Sequence, residues 1–321
     1  MVPRCCVKWK VAPLLAGLTI ASSLVYIIFL VSDAGPFSRN HALDTKESWI
    51  GWYDNVNGTQ PSVRGAVQQY KALPDGQEVI RQRCQTCAVV SSSGILLGKG
   101  AGRSIDNHSC VIRMNMAPVE GYQDDVGKRT TFRVVNFYMS RLDPDTLPAN
   151  SQIMVWGLYR RRSRLDLAMN MTEKLRASGS TIYGQTVQGE REASELFAKE
   201  TNGQMPGRSE SWLSTGWFSL MVAVDLCQDI HVYGMVPSDY CKYAKEDVPY
   251  HYYKGARGME CSLYKAAEIN RKGAHRFMTE KAVFARWALT YNITFHYPDW
   301  TPDRQKVLRK LDTPFINNLG R

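Results

Sequence analysis

Twenty-one residues from Val11 to Val31 carry no charge, and the run ends at Ser32-Asp33. At about 1.5 Å per residue, a helix of that length crosses the roughly 30 Å of a bilayer's hydrocarbon core. A cleaved signal peptide would need an apolar region of only about 7 to 15 residues and a small-x-small cleavage site. The run therefore predicts an uncleaved signal anchor. Arg4, Lys8 and Lys10 precede it and hold the amino terminus in the cytosol, which sends all later residues to a lumen. The reading gives a cytosolic tail over 1–10, a transmembrane helix over 11–31, a lumenal stem over 32–69 and one domain over 70–321.

A lumenal domain folds where disulfides persist. Of eight cysteines, Cys5 and Cys6 lie on the cytosolic side, where palmitoylation stays open. The other six form an even set, and four sequons at Asn57, Asn107, Asn170 and Asn292 fit a secretory route. The net charge of +10 is spread along the chain apart from Arg160-Arg161-Arg162 with Arg164, which argues against a nucleic-acid partner. A dispersed positive balance suits anionic small molecules, and solvated surface lysines account for it equally well.

The stretch from Cys84 to Asn136 organises the domain. Ala88 to Val90 is a short apolar run stopped by Ser91-Ser92-Ser93-Gly94, the pattern of a buried strand that opens into a polar loop at its carboxyl end. Open α/β sheets bind ligands at such ends. A second predicted strand ends at Asn115, and others are expected at 153–159, 181–187 and 230–236, with an amphipathic helix near 190–200. Alternating strands and helices predict one α/β domain with a mainly parallel sheet covered on both faces. Ser214-Thr215-Gly216 before a long apolar run reads as a helix N-terminus, where hydroxyls and free N–H groups can receive a phosphate. Thr279 is the expected N-cap of a later helix whose apolar face carries Val283, Phe284 and Trp287.

Two look-alikes are set aside. Gly94 to Gly100 is one residue short of a phosphate loop and has no hydroxyl after Lys99. Asp143-Pro144-Asp145 imitates a metal clamp but sits among turn residues rather than at the end of an apolar strand.

Four separated blocks resemble, in order, the long, small, third and very small motifs of the eukaryotic sialyltransferases. They are Cys84 to Asn136, Trp212 to Gly234, Val248-Pro249-Tyr250-His251-Tyr252-Tyr253, and His275-Arg276-Phe277-Met278-Thr279-Glu280. The resemblance implies a Rossmann-like domain of the GT-A-like variety in the Golgi lumen. It implies transfer of sialic acid from CMP-sialic acid, with no metal and no further cofactor. By resemblance to the family's His-x4-Glu motif, His275 is implied to be the catalytic base, with Glu280 structural and Lys281 a donor contact. Donor contacts carry over to Ser92, Asn115, Asn136, Ser214, Thr215 and Gly216, with Tyr250 and His251 nearby. Asn136 departs from the residue more often found there in the branch this chain favours. A disulfide between Cys87 and Cys227 is also implied. Cys84, Cys110, Cys241 and Cys261 permit three pairings, of which Cys84 with Cys110 and Cys241 with Cys261 are the most local.

Within the family, Cys110-Val-Ile-Arg-Met-Asn115 and Tyr233-Gly-Met-Val-Pro237 resemble the short members that add sialic acid in α2,6 linkage to N-acetylgalactosamine of sialylated Gal-GalNAc. The partners implied are a glycoprotein or glycolipid acceptor and the Golgi membrane. A Golgi sulfotransferase or a non-catalytic sialoglycan-binding module are the competing readings. The first would need a basic phosphate loop where Ser91-Ser92-Ser93 stands, and the second would not need His275 beside a nucleotide crevice.

Overall fold

The computed structural model describes residues 63–77, 80–138, 144, 147–158, 162–204, 212–253, 258–269, 275–309 and 311–318, all within one compact unit, Thr59–Arg321. The predicted membrane span, the sequon at Asn57, most of the predicted stem and the two aspartates of the Asp-Pro-Asp look-alike lie outside the described residues. Among the described residues no helix is long and apolar enough to cross a membrane.

Eight strands make one sheet: β1 (Tyr70–Ala72), β2 (Cys84–Val90), β3 (Cys110–Met114), β4 (Phe132–Asn136), β5 (Gln152–Trp156), β6 (Thr181–Gln185), β7 (Cys227–Tyr233) and β8 (Ile293–His296). Their order is β1-β6-β5-β4-β3-β2-β7-β8. Only β1 runs antiparallel to its neighbour; every other pairing is parallel. The chain builds outward from β2 on one side as far as β6, then crosses back to place β7 on the other side of β2. That reversal marks the carboxyl ends of β2 and β7 as the place where sheets of this kind take ligands.

The strands are buried on both faces, as parallel sheets require. Cys87 and Val89 of β2 enter one core cluster and Ala88 and Val90 another, and β5 splits in the same way between Met154 with Trp156 and Ile153 with Val155. Five longer helices supply the covers: α1 (Arg162–Leu175), α2 (Val187–Glu200), α3 (Thr215–Leu226), α4 (Glu260–Ile269) and α5 (Phe277–Trp287). α2, α3 and α5 pack Phe197, Trp217, Phe284 and Trp287 into the larger cluster, and α1 adds Ala168, Met171 and Leu175 on the opposite face. α3 is apolar almost all round and accordingly buried. Residues 63–69 also reach this core, with Val63 and Val67 buried and the Val67 amide donating to Asp225 Oδ2 at 2.9 Å.

Disulfides join Cys84–Cys110, Cys87–Cys227 and Cys241–Cys261. The first two link the amino ends of β2, β3 and β7, and the third links the loop after β7 to the first turn of α4. Asn107, Asn170 and Asn292 are exposed.

One expectation is corrected. Thr279 is not an N-cap, because α5 begins two residues earlier, at Phe277. Glu268 of α4 accepts from the Thr279 amide at 2.9 Å and from its hydroxyl at 3.0 Å. A neighbouring carboxylate thus satisfies an N–H of the first turn, the task a cap would otherwise perform.

Candidate active site

β2 ends in the three serines. Ser91 stays buried, donating to the Gly234 carbonyl at 2.8 Å, and its amide donates to the Tyr233 carbonyl at 3.0 Å, so the turns after β2 and β7 are fastened together. Gly234 must be glycine: φ is +77°, and a Cβ would stand 2.6 Å from Ser91 Oγ. Ser93 Oγ donates to Glu260 Oε2, and the Tyr264 hydroxyl donates to Glu260 Oε1 at 2.6 Å. Ser92 is left half-buried between them, its carbonyl accepting from the Tyr252 amide at 2.9 Å. The third block lies directly on this turn, since Gly94 donates to the Pro249 carbonyl at 2.9 Å and has no room for a side chain there. His251 stacks on Tyr253 with centroids 4.9 Å apart and lies tilted against Tyr250 at 4.4 Å, and burial lowers its pKa.

β3 delivers Asn115 just past its end in the left-handed region, φ +47°, which asparagine tolerates better than most residues. Arg133 Nη1 donates to the Asn115 carbonyl at 2.7 Å and to the Ala117 carbonyl at 3.2 Å, holding that turn. Asn115 Oδ1 accepts from the Asn136 amide and from Thr215 Oγ1, both at 3.1 Å. Trp156 Nε1 in turn donates to Thr215 Oγ1 at 3.3 Å. The ends of β3 and β5 thus meet the start of α3 at the Thr215 hydroxyl, and β4 joins them through Asn115 Oδ1.

Ser214 is the N-cap of α3: its Oγ accepts from the Trp217 amide at 3.2 Å while donating to Glu280 Oε2, and its amide donates to Glu280 Oε1 at 2.9 Å. The N–H groups of Thr215 and Gly216 come before the helical ladder begins and have no partner within the helix. Burial raises the Glu280 carboxyl to about 7 against the pull of the Ser214 donors and the neighbouring Lys281. Glu280 therefore ties α5 to the start of α3 from inside the protein.

His275 precedes α5 by two residues. Its Nδ1 lies 2.9 Å from the Trp212 carbonyl, and a carbonyl only accepts, so Nδ1 carries the proton and Nε2 keeps its lone pair. Burial chiefly, with a smaller effect of Arg276, pulls the imidazole down to about 4, so it is neutral at physiological pH. Lys281 does not reach the crevice. It is 7% exposed, with its ammonium 4.2 Å from the centre of the Tyr264 ring and Glu260, Glu280 and Glu268 around it.

The structure therefore gathers Ser92, Asn115, Asn136, Thr215 and Ser214 at the carboxyl edge of the sheet, and Trp212 links His275 to the same place. Sequence reasoning gave no role to Glu260, Arg133 or Trp212. Arg133 and Trp212 fall inside quoted blocks, but what they do depends on backbone carbonyls brought in from elsewhere. Glu260 has no local signal at all, since its partners are Ser93 and Tyr264, and Ser93 is 167 residues away.

A histidine thus has its Nδ1 on the Trp212 carbonyl, two residues before the Ser214 cap of α3. The model of glycosyltransferase family 29, the sialyltransferases, matches residues 31–288. The chain belongs to the sialyltransferase family. It is therefore a glycosyltransferase. It is 40% identical over 303 residues to a human alpha-N-acetyl-neuraminyl-2,3-beta-galactosyl-1,3-N-acetyl-galactosaminide alpha-2,6-sialyltransferase, covering 88% of this chain and 95% of that protein. It is 42% identical over 238 residues to human alpha-N-acetylgalactosaminide alpha-2,6-sialyltransferase 3, covering 70% and 77%. A crystal structure of a mammalian sialyltransferase aligns with a TM-score of 0.48 at 21% identity, over 79% of this chain and 86% of that one.

Proposed function

We propose that this sialyltransferase moves sialic acid from CMP-sialic acid to the 6-hydroxyl of N-acetylgalactosamine in sialylated Gal-GalNAc of O-glycans or gangliosides, with inversion. In this reading His275 is the base. Its neutral Nε2 takes the acceptor hydroxyl's proton as that oxygen forms a bond to the anomeric carbon from the face opposite the phosphate. The bond from that carbon to the phosphate oxygen breaks, and its electron pair leaves with CMP. The proton on His275 then passes to solvent. An anionic donor next to the imidazole raises its pKa from the value in the empty site, which strengthens it as a base once substrate is bound.

The leaving phosphate would meet the N–H groups of Thr215 and Gly216 and the positive end of α3. Ser92, Asn115 and Asn136 would hold the nucleotide, with Tyr250 and His251 beside it. Glu260 and Glu280, buried carboxylates among the described residues here, are taken up by serine and tyrosine donors, so we assign the leaving group to N–H and hydroxyl donors without a divalent ion. The sheet is read as a Rossmann-like variant of the GT-A type. Residues 11–31 are read as the anchor of a type II Golgi membrane protein with a lumenal catalytic domain.

What carries the proposal is the link from His275 through the Trp212 carbonyl to Ser214 two residues on, which makes base and phosphate cradle one unit. The test uses the full chain in detergent. CMP, but not adenosine 3′,5′-bisphosphate, should raise its melting temperature. Transfer from CMP-sialic acid to sialylated Gal-GalNAc in EDTA buffer should give an α2,6 product on linkage analysis. Protection by the adenosine nucleotide alone, or a product of another linkage, sinks the reading.

A further inference from the structure

β4 delivers Asn136 to the crevice, and the next two residues turn away from the sheet as an aromatic wall. Phe137 is buried and packs edge-on against Trp156 at 5.8 Å and Trp212 at 5.6 Å. Tyr138 lies against Phe137 with centroids 4.4 Å apart, yet it is 55% exposed. Trp212, half-buried, stands edge-on to the His275 ring at 6.3 Å. The Arg164 guanidinium covers Phe137, with Cζ 3.3 Å from the ring centre, while Nη1 donates to the Gly157 carbonyl at 3.0 Å.

Phe137, Trp156, Arg164, Trp212 and Tyr138 thus form one aromatic surface whose open members are Tyr138 and Trp212, with Trp212 against the His275 ring. Of the donor contacts assigned above, Asn136 meets it through the backbone, its Oδ1 accepting from the Tyr138 amide at 3.0 Å. A large aromatic ring more than half exposed, held rigid from behind, is the kind of surface a ligand covers. A pyranose offers a matching partner. One face of its ring is lined with C–H groups that carry slight positive charge toward an electron-rich ring, and its hydroxyls project around the rim.

We infer that Tyr138 and Trp212 form the acceptor subsite, on which a pyranose ring of the acceptor glycan stacks to bring its hydroxyl to His275 Nε2. Arg164 and Phe137 act as positioning residues that keep the wall upright. This inference rests on the sialyltransferase reading of the same crevice and adds the residues that would hold the acceptor. The alternative occupant of such a wall is the cytosine ring of the donor, which stacks on aromatics just as readily.

The two are separated by kinetics on the full chain, with the wild type, Tyr138→Ala and Tyr138→Phe, using CMP-sialic acid and Gal-GalNAc glycosides with and without their own sialic acid. Tyr138 is on the surface, so the variants should fold, and melting temperatures check that they do. Tyr138→Ala should raise the acceptor KM about two- to tenfold, the range of a lost aromatic contact. Donor KM and CMP protection should not change, and Tyr138→Phe should recover most of the loss. A weakened CMP affinity or raised donor KM would assign the wall to the nucleotide and overturn the inference, as would an unchanged acceptor KM. Failure of the wild type to be protected by CMP would instead sink the parent reading.

Discussion

The two ends of the central strands are built in different ways. At their amino ends, β2, β3 and β7 are joined covalently: Cys84–Cys110 and Cys87–Cys227 tie the middle strand to both neighbours. A cavity of about 780 Å3 opens there, lined by Arg64, Arg83, Cys84, Cys227 and Asn292 among others, and it holds none of the groups the chemistry needs. At the carboxyl ends, hydrogen bonds do the fastening among the described residues: Ser91 joins the turns after β2 and β7, Asn115 and Thr215 join β3 to β4 and α3, and the Ser214–Glu280 pair joins α3 to α5. Disulfides at one end fix strand positions without placing polar atoms near substrate. The other end is left to groups that can also turn toward a ligand.

The comparison can be broken from either side. The largest effect is expected at the carboxyl end, where His275→Ala should lower the transfer rate about a hundred- to ten-thousandfold, the usual range for a lost general base, with CMP protection largely kept. Near-normal turnover in that variant removes His275 from the mechanism. Replacing Cys87 and Cys227 together by serine should cost stability and little else. The bond closes a loop of 140 residues, about 4 to 5 kcal/mol in the chain-entropy model. A denaturant titration reads the loss, and a large rise in donor KM in the same variant would show that the two ends are not separable.

Ser214→Ala should do both things on a smaller scale. It removes the cap of α3 and the hydroxyl that Glu280 accepts from, so stability should fall by about 1 to 3 kcal/mol and donor KM should rise. An unchanged donor KM would confine Ser214 to a structural role.

The smallest effect expected is a pH dependence of stability. His108, His231 and His296 lie together, with His108 Nε2 2.9 Å from the Tyr233 hydroxyl and His231 Nδ1 2.9 Å from His296 Nε2. Ser104 also meets the Tyr233 hydroxyl, and Asp229 and Asp299 are the acids nearby. Burial and mutual repulsion pull His108 down to about 4, and the other two are also lowered. The folded state thus prefers neutral rings. This contribution is present above about pH 6.5 and is lost as pH falls toward 4. Melting curves across that range should show the decline, and His108→Gln should flatten it; an unaltered slope would assign the decline to other groups.

Much of the sheet was legible in the sequence. The strands ending at Val90, Met114 and Trp156 announce themselves because a parallel strand buried on both faces must be a short run of apolar residues between turn signals. β1, β4 and β8 were missed, since Tyr70–Ala72 is three residues long, Phe132–Asn136 is interrupted by Arg133, and Ile293–His296 alternates apolar and polar residues over only four positions. In the candidate site, Ser214 was readable as a cap because an N-cap is a local device. Lys281 was misread as reaching the ligand, because a lysine one residue past a motif looks available until two packed helices enclose it.

The sequence by itself determined that an uncharged run of twenty-one residues precedes an α/β domain, which residue types gather in its four motif blocks, and where most of the main strands fall. These follow from hydrophobic spacing and local hydrogen-bonding chemistry, which act between near neighbours in the chain. Only the tertiary structure decided that the His275 Nδ1 proton goes to Trp212, that Arg133 holds Asn115 in place, that Glu280 turns inward to Ser214, and that Tyr138 stands open against Phe137. Each of those depends on contacts between residues 18 to 66 positions apart, or on what packing leaves uncovered, and no local pattern encodes either.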